Sequence, residues 1–305
     1  MSKASILIFG EVLFDCFPDE SLVLGGAPFN VAWHLRGFGE QPRLISAVGN
    51  DVLGKDVLRS MEDWGLDTRF IQTKTDHATG AVTVSFEDGE PRYDIKPSVA
   101  WDYIDDRDVA GIDTDNALVY HGSLVARNDD SAATLKQLAH HNKKFIDVNL
   151  RPPWWQMEQV KELIQQAYLV KVNFDELQQL QPDSSDQPAV EYSPQADWEA
   201  QAVAFKEAHD IANLLITRGK EGATIFTGLG ECYPVSVPEI QASVVDTVGA
   251  GDAFASVVML GIVNDWDWPV ILGRAQQFAG YMVTQRGATT KNVSIYDDFA
   301  HLWSL

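Results

Sequence analysis

The sequence has few cysteines and no long apolar run. Its 305 residues include only two cysteines, Cys16 and Cys232, which argues against a disulfide scaffold and predicts reduced thiols in a cytoplasmic protein. No apolar segment approaches the ~20 residues that a membrane helix needs. The short apolar stretch at residues 6–9 lacks the cleavage site of a signal peptide. We therefore expect a buried first strand there and no membrane partner.

Basic residues are also scarce. The chain carries 23 Lys and Arg against 44 Asp and Glu, a net charge of -21. Such a surface repels nucleic acid and anionic membranes, so we expect no nucleic-acid partner. The motifs Gly-x-x-x-x-Gly-Lys-Ser/Thr, Gly-x-Ser-x-Gly and His-Glu-x-x-His do not occur. Their absence disfavours a Walker-type phosphate loop, a serine hydrolase and a zinc protease.

Short apolar runs alternate with helical stretches along the chain. The runs, which are typical of covered parallel strands, lie at residues 5–9, 43–48, 117–120, 145–148, 169–172, 214–217 and 224–227. The helical stretches lie at residues 29–38, 55–64, 131–141, 157–167, 198–209, 253–263 and 270–284. This alternation predicts one α/β domain over residues 1–305, with a doubly wound, mostly parallel sheet flanked by helices.

Two segments alternate with period two instead. Residues 80–86 and 90–95 flank an acidic turn, Glu87-Asp88-Gly89, and predict a β-hairpin. Residues 12–17 and 21–24 predict a second one. The two hairpins suggest a small β-sheet lid from about 12–24 and 80–96, although ordinary edge hairpins fit the pattern equally well. A Pro-, Ser-, Asp- and Gln-rich stretch at 181–195 predicts an exposed loop.

The most specific motif is Asp246-Thr-Val-Gly249-Ala250-Gly251-Asp252, which follows a predicted extended segment at 242–245 and opens an apolar helix. A Gly-Ala-Gly turn at a helix start presents free backbone N–H groups and the positive end of the helix dipole, so it favours an anion. A carboxylate in the first helical turn beside that anion suits phosphoryl transfer, in which it takes a proton from the attacking hydroxyl. The alternative is that Asp252 only caps the helix.

This run resembles the C-terminal signature of the ribokinase-like, PfkB-type carbohydrate kinases, with bacterial fructokinases closest in appearance. The resemblance implies a ribokinase-like fold, ATP and Mg²⁺ as cofactors, and transfer of the γ-phosphate to a primary hydroxyl of a sugar. It implies D-fructose first, with ketodeoxygluconate, ribose, tagatose or a nucleoside as alternatives. Asp252 would be the catalytic base, and the Gly249, Ala250 and Gly251 amides would hold the developing charge. A sensor that kept the fold but lost turnover is the non-enzyme alternative, and a homodimer stays open.

Two upstream blocks match the family's sugar-binding segments. Gly25-Gly26, followed by Asn30, resembles the N-terminal signature, and Asp15 matches the substrate-binding Asp after the first strand. The resemblance therefore implies that these residues bind the sugar. Arg151, in a block that resembles the Asp-x-Asn-x-Arg of fructokinases, would lie near the sugar or the phosphates, which its planar fork can bind bidentately.

Further motifs resemble the family's nucleotide and metal segments. Asn173 and Glu176, three apart and so on one helical face, match an Asn-x-x-Glu in which Glu176 would reach Mg²⁺ through water. The loop with Thr217, Gly219 and Gly222 resembles the Thr-x-Gly-x-x-Gly that lines the ATP site. Together with Asn173 and Gly251, these residues are the predicted ATP-binding set.

One position departs from the family pattern. In many members a monovalent cation such as K⁺ binds beside the first signature Asp, here Asp246. Lys291 aligns with a position that is usually small, so its ammonium is a candidate replacement for the cation, with a surface lysine as the alternative. A second departure is His121-Gly122-Ser123 in place of the Glu of ribokinases, which favours a fructokinase-like pocket.

Overall fold

The computed structural model describes residues 4–87, 90–107, 109, 112, 116–181, 198–238 and 243–305. Its strands are β1 (Ser5–Phe9), β2 (Leu13–Cys16), β3 (Leu22–Gly25), β4 (Arg43–Gly49), β5 (Ile71–Lys74), β6 (Gly80–Glu87), β7 (Glu90–Ile95), β8 (Ala117–Gly122), β9 (Lys143–Asp147), β10 (Leu169–Asn173), β11 (Asn213–Thr217), β12 (Ala223–Phe226) and β13 (Cys232–Val235). Its α-helices are α1 (Ala27–Gly37), α2 (Val52–Trp64), α3 (Asp129–Ala139), α4 (Met157–Ile164), α5 (Phe174–Leu180), α6 (Trp198–Ala208), α7 (Ala250–Val263), α8 (Trp268–Met282) and α9 (Val293–Trp303).

A nine-stranded sheet forms the centre of the fold, in the order β13-β12-β11-β10-β9-β8-β1-β4-β5. All neighbours from β11 to β5 run parallel, whereas β12 pairs antiparallel with both β11 and β13. The chain runs outward from β1 to β5 and then returns to the other side of β1 with β8. In open α/β sheets the ligand crevice lies at the carboxyl ends of strands near such a reversal.

A second, four-stranded sheet stands apart in the order β3-β2-β6-β7. It contains the two predicted hairpins, which are confirmed, and it joins them through the parallel pairing of β2 with β6. Glycine is needed at the base of this sheet, because a Cβ added to Gly80 would stand 2.6 Å from the Trp101 ring nitrogen.

Helices cover both faces of the large sheet. On one face α1, α2, α7, α8 and α9 pack on alternate residues of the strands, such as Ile6 and Ile8 of β1. On the other face α3 packs near the sheet centre, and α4, α5 and α6 pack against β9 to β12. The result is a three-layer α/β/α arrangement, and it confirms the predicted doubly wound sheet and ribokinase-like fold class.

Several predicted boundaries change. The helix after the Gly-Ala-Gly turn begins at Ala250, not at residue 253, and the described residues 243–245 belong to no strand. The hairpin turn at 88–89, residue 242 and the predicted loop at 182–195 lie outside the described residues. Both cysteines are free thiols. Within the described ranges, no helix is long and apolar enough to cross a membrane.

Candidate active site

The Gly-Ala-Gly turn lies at the N-terminus of α7. Gly249 precedes the helix with φ 79°, a left-handed conformation that favours glycine. α7 is buried along almost its whole length, so its N-terminus is rigidly placed. Gly251, by contrast, is exposed. The Ala250 amide donates to the carbonyl oxygen of Thr247 at 3.3 Å. The amides that follow it face an open site, where they have no intrahelical acceptor and the helix dipole favours an anion.

Asp252 lies in the first turn of α7 and is half-buried. Its Oδ2 accepts a hydrogen bond of 2.8 Å from the side-chain amide of Asn30 on α1. Burial raises the pKa of Asp252 to about 7, against the opposing effect of the Asn30 hydrogen bond. The structure thus brings together a predicted sugar-binding residue and the predicted base, which are 222 positions apart in the sequence.

A cavity of about 510 Å³ opens beside this contact. Its walls include the predicted sugar-binding residues Asp15, Gly25 and Asn30, together with Tyr93 of the second sheet. The Asn30 Oδ1 atom is buried and has no hydrogen-bond partner among the described residues, so it is available to a ligand. Burial raises the pKa of Asp15 to about 6. The cavity therefore offers amide and carboxyl groups, which suit hydroxyl ligands.

The turn Gly25-Gly26 shapes the base of this cavity. Gly26 has φ 110°, and a Cβ added there would stand 2.6 Å from the carbonyl oxygen of Glu11. A Cβ added to Gly25 would stand 3.6 Å from the Asp15 carboxylate. The two glycines let α1 begin close to the end of β1, so that Asn30 reaches Asp252.

A buried ion pair that the sequence did not lead us to expect lies beneath the Gly-Ala-Gly turn (residues 249–251), which we call the anion turn. Lys171, in the middle of β10, donates hydrogen bonds of 2.9 and 2.7 Å to the two carboxylate oxygens of Asp147 at the end of β9. The Lys171 Nζ lies 3.6 Å from where a Cβ on Gly251 would be. Burial acts to lower the pKa of Lys171, but the charge and hydrogen bonds of the Asp147 carboxylate together raise this pKa above its ordinary value. The signal in the sequence was a lysine inside an otherwise apolar strand.

Arg151 follows β9 at the same edge of the sheet. Its side chain is exposed, and its Nη1 donates to the carbonyl of Leu150 at 3.3 Å. Its positive charge opposes the burial that raises the pKa values of Asp15 and Asp252. Arg151 thus acts electrostatically on both the sugar-side and the base-side carboxyl groups.

A second cavity, of about 380 Å³, contains most of the predicted nucleotide residues. Asn173, Thr217 and Gly219 line it, and Trp198 forms a wall that the sequence analysis did not single out. Gly222 lies outside this lining. It has φ 92° and packs against β13, where an added Cβ would overlap the carbonyl oxygen of Val235.

Asn173 and Glu176 meet through a capping box, not as neighbours on one helical face. Asn173 is the N-cap of α5 and accepts from the Glu176 amide at 2.8 Å, while Glu176 accepts from the Asn173 amide at 2.8 Å. The other Glu176 oxygen accepts from the Leu150 amide at 2.8 Å. Burial raises the pKa of Glu176. Its carboxylate is therefore buried and held by two amides, with little surface for direct metal contact.

Asp246 and Lys291 are not brought together. The Asp246 oxygens accept from the amides of Val248 and Gly287, each at 3.0 Å. Lys291 is exposed, and among the residues with described positions it forms no ion pair with Asp246. Across all the residues that the structure describes, no group of three or more His, Cys, Asp or Glu could hold a metal ion.

The chain is similar to known proteins over nearly its whole length. Residues 6–295 match the family model described as pfkB family carbohydrate kinase. A fructokinase of Escherichia coli is 25% identical over 320 residues, covering 94% of this chain and 96% of the relative. An uncharacterized sugar kinase from Pyrococcus horikoshii in complex with ATP is 25% identical, with a TM-score of 0.72 over 93% of each chain. Aminoimidazole riboside kinase from Salmonella enterica is 22% identical, with a TM-score of 0.76 over 97% of this chain and 99% of that one.

Proposed function

Because the chain belongs to the pfkB family of carbohydrate kinases and is therefore a phosphotransferase, we propose that it transfers the γ-phosphate of ATP to a primary hydroxyl of a sugar. D-fructose is the first candidate for that sugar. The observation that carries this proposal is the contact between Asn30 and Asp252. This contact joins Asn30, which lines the 510 Å³ cavity, to a carboxylate in the first turn of α7. It supports the proposal because a hydroxyl bound in the cavity and a phosphoryl group at the helix N-terminus could both approach this carboxylate.

In this mechanism the sugar lies in the 510 Å³ cavity, near Asp15, Gly25 and Asn30. Asp252 removes the proton of the hydroxyl that attacks the γ-phosphorus. A pKa of about 7 suits this role, because a general base works best when its pKa is near the operating pH. The amides of the Gly-Ala-Gly turn stabilise the charge on the transferred phosphoryl oxygens.

ATP would occupy the 380 Å³ cavity near Asn173, Thr217 and Gly219, with its γ-phosphate directed to Gly251. When bound, Mg²⁺ supplies neutralisation of charge on the β- and γ-phosphates. The buried Glu176 would act on the ion only through water, and the nucleotide itself would supply the direct oxygen ligands. Arg151 is placed to attract either the phosphates or an acidic sugar.

The second sheet would act as a lid over the sugar. Tyr93 of β7 lines the cavity together with residues of β2 and β3, so movement of this sheet would change access to Asp252. A closed lid excludes water and limits hydrolysis of ATP without a sugar acceptor.

The test is a coupled assay of ATP consumption over fructose, ribose, ketodeoxygluconate, tagatose and nucleosides. We expect the highest kcat/KM with fructose, because His121-Gly122-Ser123 stands where ribokinases carry a Glu. A higher kcat/KM with another acceptor would overturn the fructose assignment alone. Binding of sugar and ATP without turnover by any acceptor would overturn the kinase activity and support a sensor.

We propose no step through a monovalent cation. Each Asp246 oxygen accepts one amide hydrogen bond, and the nearby carbonyls of Ala288 and Thr290 accept from side chains of α1. A carboxylate or carbonyl oxygen that accepts one hydrogen bond keeps a second lone pair, which a cation could use. Titration with KCl against a tetramethylammonium chloride control is the test: a many-fold rise in kcat would assign the ion a role, and an unchanged kcat would exclude one.

A further inference from the structure

His34 is a fully buried histidine of α1 that uses both of its ring nitrogens. Nε2 lies 2.9 Å from the carbonyl oxygen of Ala288, and Nδ1 lies 2.9 Å from the Tyr296 hydroxyl. A carbonyl oxygen only accepts, so Nε2 carries the proton and donates to Ala288. Nδ1 then accepts the Tyr296 O–H. Burial lowers the pKa of His34 to about 4, so the ring is neutral near pH 7.

The residue that His34 holds packs against the anion turn. A Cβ added to Gly249 would overlap the Cβ of Ala288 and stand 3.0 Å from its carbonyl oxygen, so the two backbones are in close contact. One residue earlier, the Gly287 amide donates to Asp246 at 3.0 Å. Residues 286–290, which we call the support loop, therefore lie directly behind the segment 246–249.

One helix fixes both the carboxylate and the support loop. Asn30 holds Asp252, and one turn later His34 holds Ala288. The ring nitrogen of Trp33 donates to the carbonyl of Thr290 at 2.8 Å, at the other end of the support loop. Helix α1, which contributes Asn30 to the sugar cavity, is thus hydrogen-bonded directly to the support loop behind the anion turn.

We propose that His34 is a positioning residue for phosphoryl transfer: its Nε2–H donates to Ala288, holds the support loop against Gly249 and so fixes the amides of the anion turn. This inference rests on the proposed function, because it takes the Gly-Ala-Gly turn as the site that receives the transferred phosphoryl group. The simpler alternative is that His34 only fills the core between α1 and α9. If His34 positions the turn, loss of its N–H donor should slow phosphoryl transfer, because a misplacement of about 1 Å at a reacting centre can cost roughly 10²-fold in rate. If His34 only fills the core, an apolar side chain of similar size should leave the rate unchanged.

The test compares His34→Met, which fills the space without a donor, with His34→Gln, which keeps an N–H donor at a similar distance from the backbone. We expect kcat of His34→Met to fall by roughly 10- to 100-fold. The KM values for ATP and for the best acceptor should change little, and His34→Gln should keep most of the wild-type kcat. Equal kcat values for the two variants would overturn the proposal.

Phe278→Leu is the matched control for lost packing. The Phe278 ring lies 5.1 Å from the His34 ring, edge to face, and is fully buried, but it makes no hydrogen bond to the support loop. We expect it to lower the melting temperature while kcat of the folded protein stays near the wild-type value. A loss of kcat as large as that of His34→Met would show that core packing, not the donor, sets the rate, and would overturn the proposal.

Hydrogen exchange of the ligand-free protein separates this inference from the proposed function. His34→Met should speed exchange in the support loop and in residues 246–251, whereas His34→Gln and Phe278→Leu should leave both segments near wild type. Unchanged exchange at 246–251 in His34→Met would overturn the coupling. If no sugar is phosphorylated by the wild type but exchange responds as expected, the coupling stands and only the proposed function fails.

Discussion

Replacing the proposed base should make the protein more stable at high pH, while it removes activity. Asp252 has a pKa of about 7 in the folded chain against an ordinary value of 3.8, because the fold removes its carboxyl group from much of the surrounding water. Below pH 3.8 both the folded and unfolded states carry the proton, so ionisation costs nothing. As the pH rises from 3.8 to about 7, the unfolded state loses this proton while the folded state keeps it, so the folded state is increasingly penalised, and above pH 7 the penalty levels off. The three-unit difference corresponds to about 4 kcal/mol of unfolding free energy at pH 8 and about 2 kcal/mol at pH 5.

Asp252→Asn removes this penalty and keeps an oxygen for the Asn30 hydrogen bond. We expect urea unfolding to show a gain for the variant that is about 2 kcal/mol larger at pH 8 than at pH 5, together with a loss of kcat of roughly 10²–10⁴-fold. Asp51→Asn is the control of opposite sign. Burial acts to raise the pKa of Asp51, but hydrogen bonds from Thr79 and Gly54 lower it below its ordinary value. The ionised Asp51 therefore stabilises the folded state, and Asp51→Asn should lose stability at pH 8. A pH-independent stability difference for Asp252→Asn would refute the reasoning.

Three further perturbations test other contacts. Lys171→Met leaves the buried Asp147 carboxylate without its cation, with the Tyr120 hydroxyl as a donor at 3.3 Å, and should cost about 3–5 kcal/mol of unfolding free energy. The added Asp147→Asn should restore most of this loss in denaturant titrations; a double variant no better than the single one would contradict the pairing. Asn30→Ala removes a hydrogen bond that lowers the pKa of Asp252, so the acid limb of kcat/KM against pH should move to higher pH, and an unmoved limb would count against that contact. Trp198→Ala removes an aromatic wall of the proposed ATP cavity and should raise the KM for ATP by about tenfold, while the KM for the sugar stays unchanged. Equal changes in both KM values would argue against contact between Trp198 and the nucleotide.

The central strands were predictable because burial on both faces leaves a simple apolar run. β5 and β13 were not among the predicted strands, and both lie at sheet edges. β5 reads Ile-Gln-Thr-Lys, and β13 contains a proline and alternates between exposed and half-buried residues. Edge strands need fewer apolar residues, and proline is tolerated there, so the apolar signal fades. The edges of the sheet were therefore harder to predict than its centre.

The candidate site shows a similar division between local and distant contacts. The turn at Gly249 follows from adjacent residues, and the capping box of Asn173 and Glu176 has a four-residue signature that the sequence already contained. The contact of Asn30 with Asp252 joins residues far apart in the chain, and no periodicity encodes it. The same holds for the contact of His34 with Ala288. Such contacts depend on how α1 packs against α7, which the linear pattern leaves open.

The parallel pairing of β2 with β6 also has a consequence for synthesis on the ribosome. β2 and β3 leave the ribosome soon after β1, but β6, which pairs with β2 in the finished sheet, emerges only after α1, β4, α2 and β5. Until then β2 has no partner on its β6 side, and Leu13 and Phe14, which are buried in the folded protein, lack part of their cover. The nascent chain thus displays a two-stranded ribbon with an open edge, which is a template for mispairing. We expect ribosome-bound chains that end before β6 to be sensitive to aggregation, and chains that extend past β7 to be protected.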